Sequence, residues 1–505
     1  MVLVIIALAW HVFRSEFCLI KNLGVQFFCC CWGLISLLFS NLSFAQDDDE
    51  LEEIVVISTR TLRSFENQPT RVEVLGGEEI NEKANMKPGD IRMLLNESTG
   101  IYVQQTSATS FNSSIRIQGL DGKYTQLLQD GMPLYGGYSG GLSLLQIAPL
   151  DIQQVEVLKG SNSTLYGAGA IAGLVNLVTR RPGLEPENSL LLNATSADGI
   201  DASGFFSTGS GDLGATLFSS YNTSEAYDPA GNGFSAIPEF ERWTFKPRLF
   251  FERENSETIL GMSLVSEDRL GGSMSYIKGS RVFPNYYEDS VTTRLSTQIE
   301  HVRQLGSGNE LVLRNSISKF ERQLEIPGSE FGGTQMSSFS EVHVVGASDT
   351  MDWVLGVNLW TEDFEQKNPL PGFKQDFNSH TLGAFGQTTL SLADSWLLEG
   401  GLRVDLNSKY GSFVLPRLSL LYNFDEETTF RIGGGFGYKE PSLFTEESES
   451  LQFLNILPLN EKLLEAEQSA GINADVNRVF EFGDGISLNL NALVFYTRVD
   501  VPLQL

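Results

Sequence analysis

The sequence predicts an antiparallel transmembrane β-barrel, an all-β class, preceded by a small α+β domain. Two observations favour this fold. From residue 189 onward, the chain repeats segments of about ten residues in which apolar and polar side chains alternate, which is the length and period of a tilted barrel strand. After Gln46, no apolar run is long enough for a membrane-spanning helix, so strands are the elements expected to cross the bilayer.

The alternation is clearest in residues 351–359, where odd positions are apolar and even positions include Asp352, Gly356 and Asn358. One face of such a strand suits lipid and the other suits a polar interior. Soluble β-sandwiches and propellers share this period, so alternation alone leaves both classes open. Similar segments recur near 213–222, 241–252, 292–303, 311–318, 381–392, 395–406, 415–424, 428–437 and 486–498.

Aromatic residues and the N-terminus favour the membrane barrel. Large aromatics stand at segment ends, where interfacial belts are expected. They are Trp243, Trp360, Trp396 and Tyr422. Residues 1–45 are predicted to be a signal peptide, because Lys21 precedes an apolar run over 25–39 and a small-x-small pattern ends at Ala45. A membrane anchor is disfavoured, since the run is shorter than the ~20 residues that a spanning helix needs.

Charge and residue usage exclude several functions. The formal net charge of −28 argues against nucleic acid as a partner, because both would be polyanions. All four cysteines lie within the first 31 residues, so no thiolate site is expected in the mature chain. His301, His343 and His380 lack the spacing of a triad or a metal site. We therefore predict a protein that is not an enzyme and holds no metal or cofactor.

Composition divides the mature chain into three parts. Residues 46–60 begin with an acidic run and are predicted to be flexible. Residues 61–186 are expected to form one small α+β domain, with a strand over 71–75 and a helical stretch over 87–95. Residues 187–505 contain the alternating segments.

The small domain carries several short motifs. Residues 115–120 (IRIQGL) and 127–134 (LLQDGMPL) form strand, turn and strand; V-E-V-L-K-G follows at 155–160, and residues 165–179 contain L-Y-G-A-G and G-L-V-N-L-V-T. A phosphate-binding loop is disfavoured, because the glycines lack a basic or hydroxyl partner at the required spacing and lead into another β segment. Glycine here is expected to allow close backbone packing.

In this order and spacing, the motifs resemble the plug domain of TonB-dependent outer-membrane receptors. F-G-Y-K-E-P at 436–441 and N-E-K-L-L-E-A-E at 460–467 are similar to a barrel pattern of the same family. The resemblance implies a plug inside the barrel lumen and a complete barrel of about 22 strands. Only about fifteen strand-like segments are present and 501–505 lack a terminal aromatic, so a truncated barrel is expected.

The resemblance also assigns site residues. The segment Glu53, Ile54, Val55, Val56, Ile57, Ser58 and Thr59 is similar to the TonB box, an extended strand suited to pairing with a periplasmic partner. The alternative is that this segment forms the first strand of the plug. Arg116 and Lys159 correspond to plug positions that face barrel carboxylates, for which Glu399 and Glu467 are the candidates.

Ligand contacts are expected on the apical turns of the plug. The residues predicted there are Ser107, Phe111, Asn112, Tyr135 and Tyr138. Aromatic and small polar side chains suit contact with a large solute, although a purely turn-forming role fits them equally well.

The function implied by the resemblance is energised import of a scarce nutrient across the Gram-negative outer membrane, with an iron–siderophore complex favoured. The implied partners are TonB with ExbB and ExbD in the inner membrane, outer-membrane lipid and a small-molecule ligand such as a ferric siderophore, and the N-terminus is expected in the periplasm. Cobalamin, haem, another metal complex or an oligosaccharide are alternative substrates. A passive porin or an adhesin is the alternative outside this class.

Overall fold

A computed structural model describes most of the chain. The described residues are 56–60, 68–96, 98–105, 112–142, 144–161, 163–280, 285–369, 374–425, 427–460, 463–482 and 487–503. All of them belong to one compact unit, residues 54–505. The predicted signal peptide and the acidic run after it lie outside the described residues. None of the helices in the described ranges has the length and apolar character needed to cross a membrane.

The small domain contains two sheets and three short helices. Its larger sheet has the order β1-β6-β7-β4-β5, in which only β4 and β7 pair in parallel. Its strands are β1 Val72–Leu75, β2 Ile101–Gln105, β3 Ser113–Ile117, β4 Thr125–Gln129, β5 Met132–Tyr135, β6 Ile152–Lys159 and β7 Gly173–Thr179. Its helices are α1 Gly77–Met86, α2 Arg92–Asn96 and α3 Ser163–Tyr166, with 3₁₀ turns at Gly122–Tyr124, Gly137–Leu142 and Leu144–Gln146.

The predicted helix over 87–95 is only partly correct. Helix α2 begins at Arg92, and α1 ends at Met86, because Pro88 and Gly89 favour neither helix. The sequence analysis missed α1, although Ile80 and Ala84, four residues apart, are its buried face.

The large sheet contains fifteen antiparallel strands, each paired with its neighbours in chain order, with β8 and β22 at its two ends. The first eight strands are β8 Glu187–Ala194, β9 Ile200–Ser210, β10 Leu213–Ser224, β11 Glu239–Arg253, β12 Ser256–Gly272, β13 Tyr287–Leu305, β14 Asn309–Ile326 and β15 Ser329–Ala347. The other seven are β16 Met351–Lys367, β17 Phe377–Ala393, β18 Trp396–Asn407, β19 Gly411–Asn423, β20 Thr428–Lys439, β21 Glu467–Glu481 and β22 Ser487–Asp500. Connections include a 3₁₀ turn, Gly306–Gly308, and two short helices, α4 Met274–Ile277 and α5 Glu446–Ser450.

The two faces of the large sheet have opposite polarity. In β16, Leu355 and Val357 are exposed on one face, whereas Asp352 and Asn358 are buried on the other. This is the pattern of a strand with lipid outside and a polar interior, and it confirms the predicted all-β class. Of the aromatics at segment ends, Trp243 and Trp396 lie on the outer face beside Tyr221 and Tyr422. Trp360 was predicted to join them, but it faces inward and contacts Phe339.

The small domain lies against the polar inner face of the large sheet. Helix α3 packs against strands β17 to β20. From another part of the sheet, Lys246 of β11 reaches Asp151 at 3.1 Å. The core of the small domain is formed by apolar side chains from both of its sheets and its helices, including Ile80, Leu95, Ile117, Val155 and Val175.

Gly173 is required by the backbone geometry at the start of β7. Its φ is +141°, and a Cβ atom there would lie 2.1 Å from the carbonyl oxygen of Leu158. We expect Gly173→Ala to lower the free energy of unfolding of the small domain by about 1–3 kcal/mol, measured by urea denaturation in detergent. Gly306→Ala is the matched control, because a Cβ at Gly306 meets no atom within 4 Å. Equal midpoints for the two variants would contradict this prediction.

Candidate functional site

A cavity of about 840 Å³ lies between the small domain and the large sheet. Its floor is formed by the 3₁₀ turns around 122–124 and 136–140 of the small domain. Its walls come from β14 to β18, β20 and β21, and from the loop between β20 and β21 (the β20–β21 loop, residues 440–466). The cavity is large enough for a drug-sized or larger solute.

The β20–β21 loop is fixed to the small domain through Glu446 at the start of α5. Its carboxylate accepts hydrogen bonds from Arg116 Nη2 and Ser114 Oγ, both at 2.6 Å, and from the Gly122 amide at 2.9 Å. Burial alone would raise the pKa of Glu446, but these three donors outweigh it and hold the pKa below its usual range. Glu399 and Glu467 were the predicted partners of Arg116, but the carboxylates that it meets are Glu446 and, at 3.1 Å, Asp121.

A second carboxylate of α5 forms a buried pair. Glu449 accepts from Arg322 Nη2 at 2.6 Å and Nη1 at 3.0 Å, and from the side-chain amide of Asn112. Asn112 is fully buried by this contact. It was predicted to contact ligand from an apical turn, whereas the structure places it in the contact between the small domain and the β20–β21 loop.

The side chain of Tyr138 is buried in a cluster of aromatic rings. Only 1% of it is exposed, and its hydroxyl donates to the carbonyl oxygen of Arg322 at 3.2 Å. Burial raises the pKa of Tyr138. Five phenylalanine rings surround it at centroid distances between 4.9 and 5.9 Å. They are Phe320, Phe331, Phe364, Phe444 and Phe453. Tyr138 thus contributes to the cavity wall mainly as an anchor for the 136–140 turn.

Of the other predicted ligand contacts, Tyr135 is the one that lies among the described residues. Ser107 and Phe111 lie outside the described residues, and Tyr135 ends β5 next to the cavity floor. Glu362 and other wall residues stand at inward positions of alternating strands and were not predicted as site residues. Alternation indicates which face of a strand is inward, but not how far along the strand the cavity lies. Trp360 also lines the cavity, although it was expected in the interfacial belt.

The other predicted plug–barrel contacts are only partly correct. Among the described residues, the carboxylate that Lys159 contacts is Glu73 and not one of the large sheet. The reason is that β1 pairs with β6 and places Glu73 diagonally opposite Lys159. Glu399 accepts from Thr70 Oγ1 at 2.9 Å and pairs with Arg417.

Glu467 does bind the small domain, but through other residues than predicted. It accepts from Lys123 Nζ at 2.9 Å and from the Tyr124 hydroxyl at 2.5 Å. Both donors belong to the 3₁₀ turn that forms part of the cavity floor.

The N-terminal segment (residues 56–60) is held under the opposite side of the small domain. The amides of Ile57 and Ser58 donate to the Glu156 carboxylate at 2.7 and 2.8 Å. The Tyr166 hydroxyl donates to the Ser58 carbonyl at 2.7 Å. Residues 53–55 of the predicted TonB box lie outside the described residues. The described residues 56–60 form a turn, so neither the extended conformation expected of the TonB box nor the alternative of a first plug strand is found there.

Arg60 connects this segment to the large sheet. It lies 2.8 Å from the Glu341 carboxylate on β15, and both side chains are almost fully buried. Its guanidinium also packs over the rings of Tyr166 and Phe385, at 4.8 and 4.7 Å from their centroids. The sequence analysis identified none of Arg60, Glu156 and Glu341 as partners, since their pairing depends on the fold.

The small domain resembles a plug: it packs against the inner face of the large sheet, with the cavity on one side of it and the bound N-terminal segment on the other. This arrangement defines a class of outer-membrane receptors. The chain matches the family model of the TonB-dependent receptor plug domain over residues 64–174 and that of the TonB-dependent receptor-like β-barrel over residues 188–500. It belongs to the TonB-dependent receptor family, whose members are transporters and receptors rather than enzymes.

Similar proteins include two from Vibrio cholerae. The iron-regulated outer membrane virulence protein is 23% identical over 485 residues, covering 91% of this chain and 70% of the relative. The vitamin B12 transporter BtuB is 21% identical over 427 residues, covering 82% and 67%.

Two solved structures share the fold. The ferric enterobactin receptor PfeA of Pseudomonas aeruginosa has a TM-score of 0.65 at 16% identity, covering 83% of this chain and 70% of that one. The ferric yersiniabactin uptake receptor FyuA of Yersinia pestis has a TM-score of 0.66 at 19% identity, covering 86% and 73%.

The pKa of Glu446 predicts a pH-dependent loop contact. Because the folded-state pKa is lowered, the stabilisation is fully present above the unfolded pKa, roughly 4.3, and is lost as pH falls through the folded value. We expect Glu446→Gln to weaken the contact at pH 7 by about 1–3 kcal/mol and to abolish its pH dependence. The measurement is the fluorescence anisotropy of a dye on Ser450→Cys, an exposed position of α5, between pH 7 and pH 3.

The control for this experiment is Glu447→Gln, because Glu447 is the exposed neighbour in the same helix. It should keep the anisotropy and pH profile of the parent protein. Identical profiles for the Glu446 and Glu447 variants would contradict the assigned role of Glu446.

Proposed function

We propose that this receptor imports a scarce, bulky solute across the outer membrane with energy supplied through TonB, and that the solute is an iron–siderophore complex. The observation that carries the proposal is the pairing of a solute-sized cavity on one side of the small domain with an N-terminal segment bound on the other. A protein that only adheres or conducts passively has no need for such a segment.

A continuous set of hydrogen bonds supports coupling between the two sides. Glu156, which holds the Ser58 amide, also accepts from Asn176 Nδ2 at 2.9 Å, and Asn176 Oδ1 accepts from the Gly131 amide at 2.9 Å. Gly131 precedes β5, which leads into the 136–140 turn at the cavity floor. A solute that shifts this turn would therefore act on the strands that hold the N-terminal segment.

In this proposal, the segment from Glu53 to Thr59 is the TonB box. Once released from Glu156, its β-branched residues would pair as an added strand with TonB, which is driven by ExbB and ExbD in the inner membrane. The N-terminus would then lie in the periplasm and the cavity would open to the outside. Residues 1–45 would direct secretion, residues 61–186 would form the plug and residues 187–505 the barrel.

The names of similar proteins favour iron as the cargo. One relative is described as iron-regulated and two structural neighbours as receptors for ferric siderophores. A vitamin B12 transporter is also similar, so cobalamin is the second candidate. Haem, another metal complex or an oligosaccharide remain alternative cargoes with less support.

Deletion of residues 53–59 tests energised import. We expect uptake of radiolabelled iron–siderophore by iron-limited cells to fall to the level of a strain without TonB, because the pairing strand is missing, while binding of the complex to whole cells is retained. Deletion of residues 46–52 is the matched control, since it removes an equal length of the same segment. Unchanged uptake after deletion of 53–59 would support a passive porin and contradict the proposal.

A further inference from the structure

We propose that the cavity accepts an uncharged or cationic chelate and discriminates against a trianionic one. This inference rests on the proposed import function and concerns the charge class of the solute. Iron(III) bound by three hydroxamates is uncharged, whereas iron(III) bound by three catecholates carries three negative charges. The charge lining the cavity therefore separates two chemical classes of siderophore.

The cavity wall carries no excess of positive charge. Among the described lining residues, seven are acidic and five are basic. The basic residues are Lys123, Lys374, Arg403, Lys409 and Lys439. A trianion in a partly desolvated site needs positive charge that is not already neutralised by the protein. The wall therefore offers no surplus of positive charge to such a ligand.

Three of the five cations are already paired with carboxylates of the same wall. Lys123 lies 2.9 Å from Glu467, and Arg403 lies 2.7 Å from Asp405. The third pair, Lys374 with Asp376, is 2.5 Å apart near the rim. An anionic ligand would have to compete with these carboxylates, at the cost of leaving one of them unpaired.

A fourth cation, Lys439, lies near several carboxylates of the wall. It interacts electrostatically with Glu362, Glu440 and Glu467. Glu362 accepts a hydrogen bond from Gln335 Nε2 at 2.7 Å, and Glu440 accepts from Ser379 Oγ at 2.6 Å. These carboxylates outnumber the single ammonium group of Lys439. Their surplus favours a ligand that brings positive charge or hydrogen-bond donors.

Two arginines behind the wall are also paired with carboxylates. Arg116 and Arg322 contact the cavity residues Glu446 and Glu449, and Arg116 also pairs with Asp121. With both pairs included, the carboxylates and the cations of the site are equal in number, and no cation is left in excess.

The uncharged residues of the cavity wall also favour an uncharged or cationic ligand over an anionic one. Trp360, Phe377 and Tyr410 present aromatic surface to the cavity. Aromatic faces are negative in their quadrupole and favour apolar or cationic groups over anions. Gln126 and Gln375 also line the cavity, and their buried side-chain carbonyl oxygens have no hydrogen-bond partner within the described part of the chain. Such acceptors favour a ligand rich in N–H or O–H groups.

Equilibrium binding to the purified full chain in detergent tests the proposal. The probes are an iron(III) tris-hydroxamate and an iron(III) tris-catecholate, followed by quenching of tryptophan fluorescence, with cyanocobalamin as a second uncharged probe followed by equilibrium dialysis. We expect at least one uncharged probe to bind at least about tenfold more tightly than the trianion at low ionic strength, because like charges at a binding site cost several-fold to many-fold in affinity.

A variant with altered charge tests whether the preference for an uncharged ligand arises from this cavity wall. The double variant Glu362→Gln, Glu440→Gln replaces two carboxylates by amides of nearly the same shape, and we expect it to narrow the preference for the uncharged probe by strengthening binding of the tris-catecholate. Glu365→Gln is the control, because Glu365 lies on the same strand as Glu362 but is exposed and outside the cavity. It should leave the preference unchanged.

Tighter binding of the tris-catecholate, failure of every uncharged probe to bind, or a double variant with the parental preference would each overturn the inference. These outcomes are separate from the test of import. Uptake of a trianionic complex that depends on residues 53–59 would preserve the proposed function and reject the charge preference. If the charge preference were retained but uptake did not depend on residues 53–59, the charge preference would stand and the proposed function would be rejected.

Discussion

Charged side chains line the inner face of the large sheet, and each must find a partner where water is scarce. An uncompensated buried charge costs about 3–5 kcal/mol, so the small domain has to present matching groups at the right positions. Lys246 meets Asp151, Arg242 donates to the Gly89 carbonyl, and Glu399 accepts from Thr70. These contacts come from two separate strands of the sheet, β11 and β18, and fix the domain in place.

The need to pair buried charges also determines the contacts at both ends of the small domain. On the cavity side, Glu446 and Glu449 attach the β20–β21 loop to groups of the small domain and the sheet. On the other side, Glu156 and Glu341 bind the N-terminal segment. The domain is thus held by polar contacts in addition to apolar clusters such as the one around Tyr138. Polar contacts of this kind can be exchanged for water or for a ligand, which suits a domain that must yield during transport.

The sequence predicted the strands well and the contacts poorly. Alternation with a period of two identifies strands and their two faces locally, so the fold class and most strands of the large sheet were predictable. The pairing of Arg116 with Glu446 joins residues 330 positions apart. Glu446 lies on α5 in the β20–β21 loop and not on a strand, so strand alternation gives no signal for it, and only the folded chain brings it to Arg116. For the same reason Lys159 was assigned to the barrel, although its partner Glu73 lies on the neighbouring strand of its own domain.

In the proposed mechanism, Glu156 holds the N-terminal segment in a state that can be released. The most direct measurement is the rate of maleimide labelling of Ser58→Cys in the mature receptor in outer membranes, with and without Glu156→Gln. Ser58 is fully buried and its amide donates to Glu156. We expect slow labelling of the single variant and labelling at least about tenfold faster in the double variant, because loss of a charge-assisted hydrogen bond costs roughly 1.5–3 kcal/mol. Equal rates in the two proteins would show that Glu156 does not hold the segment.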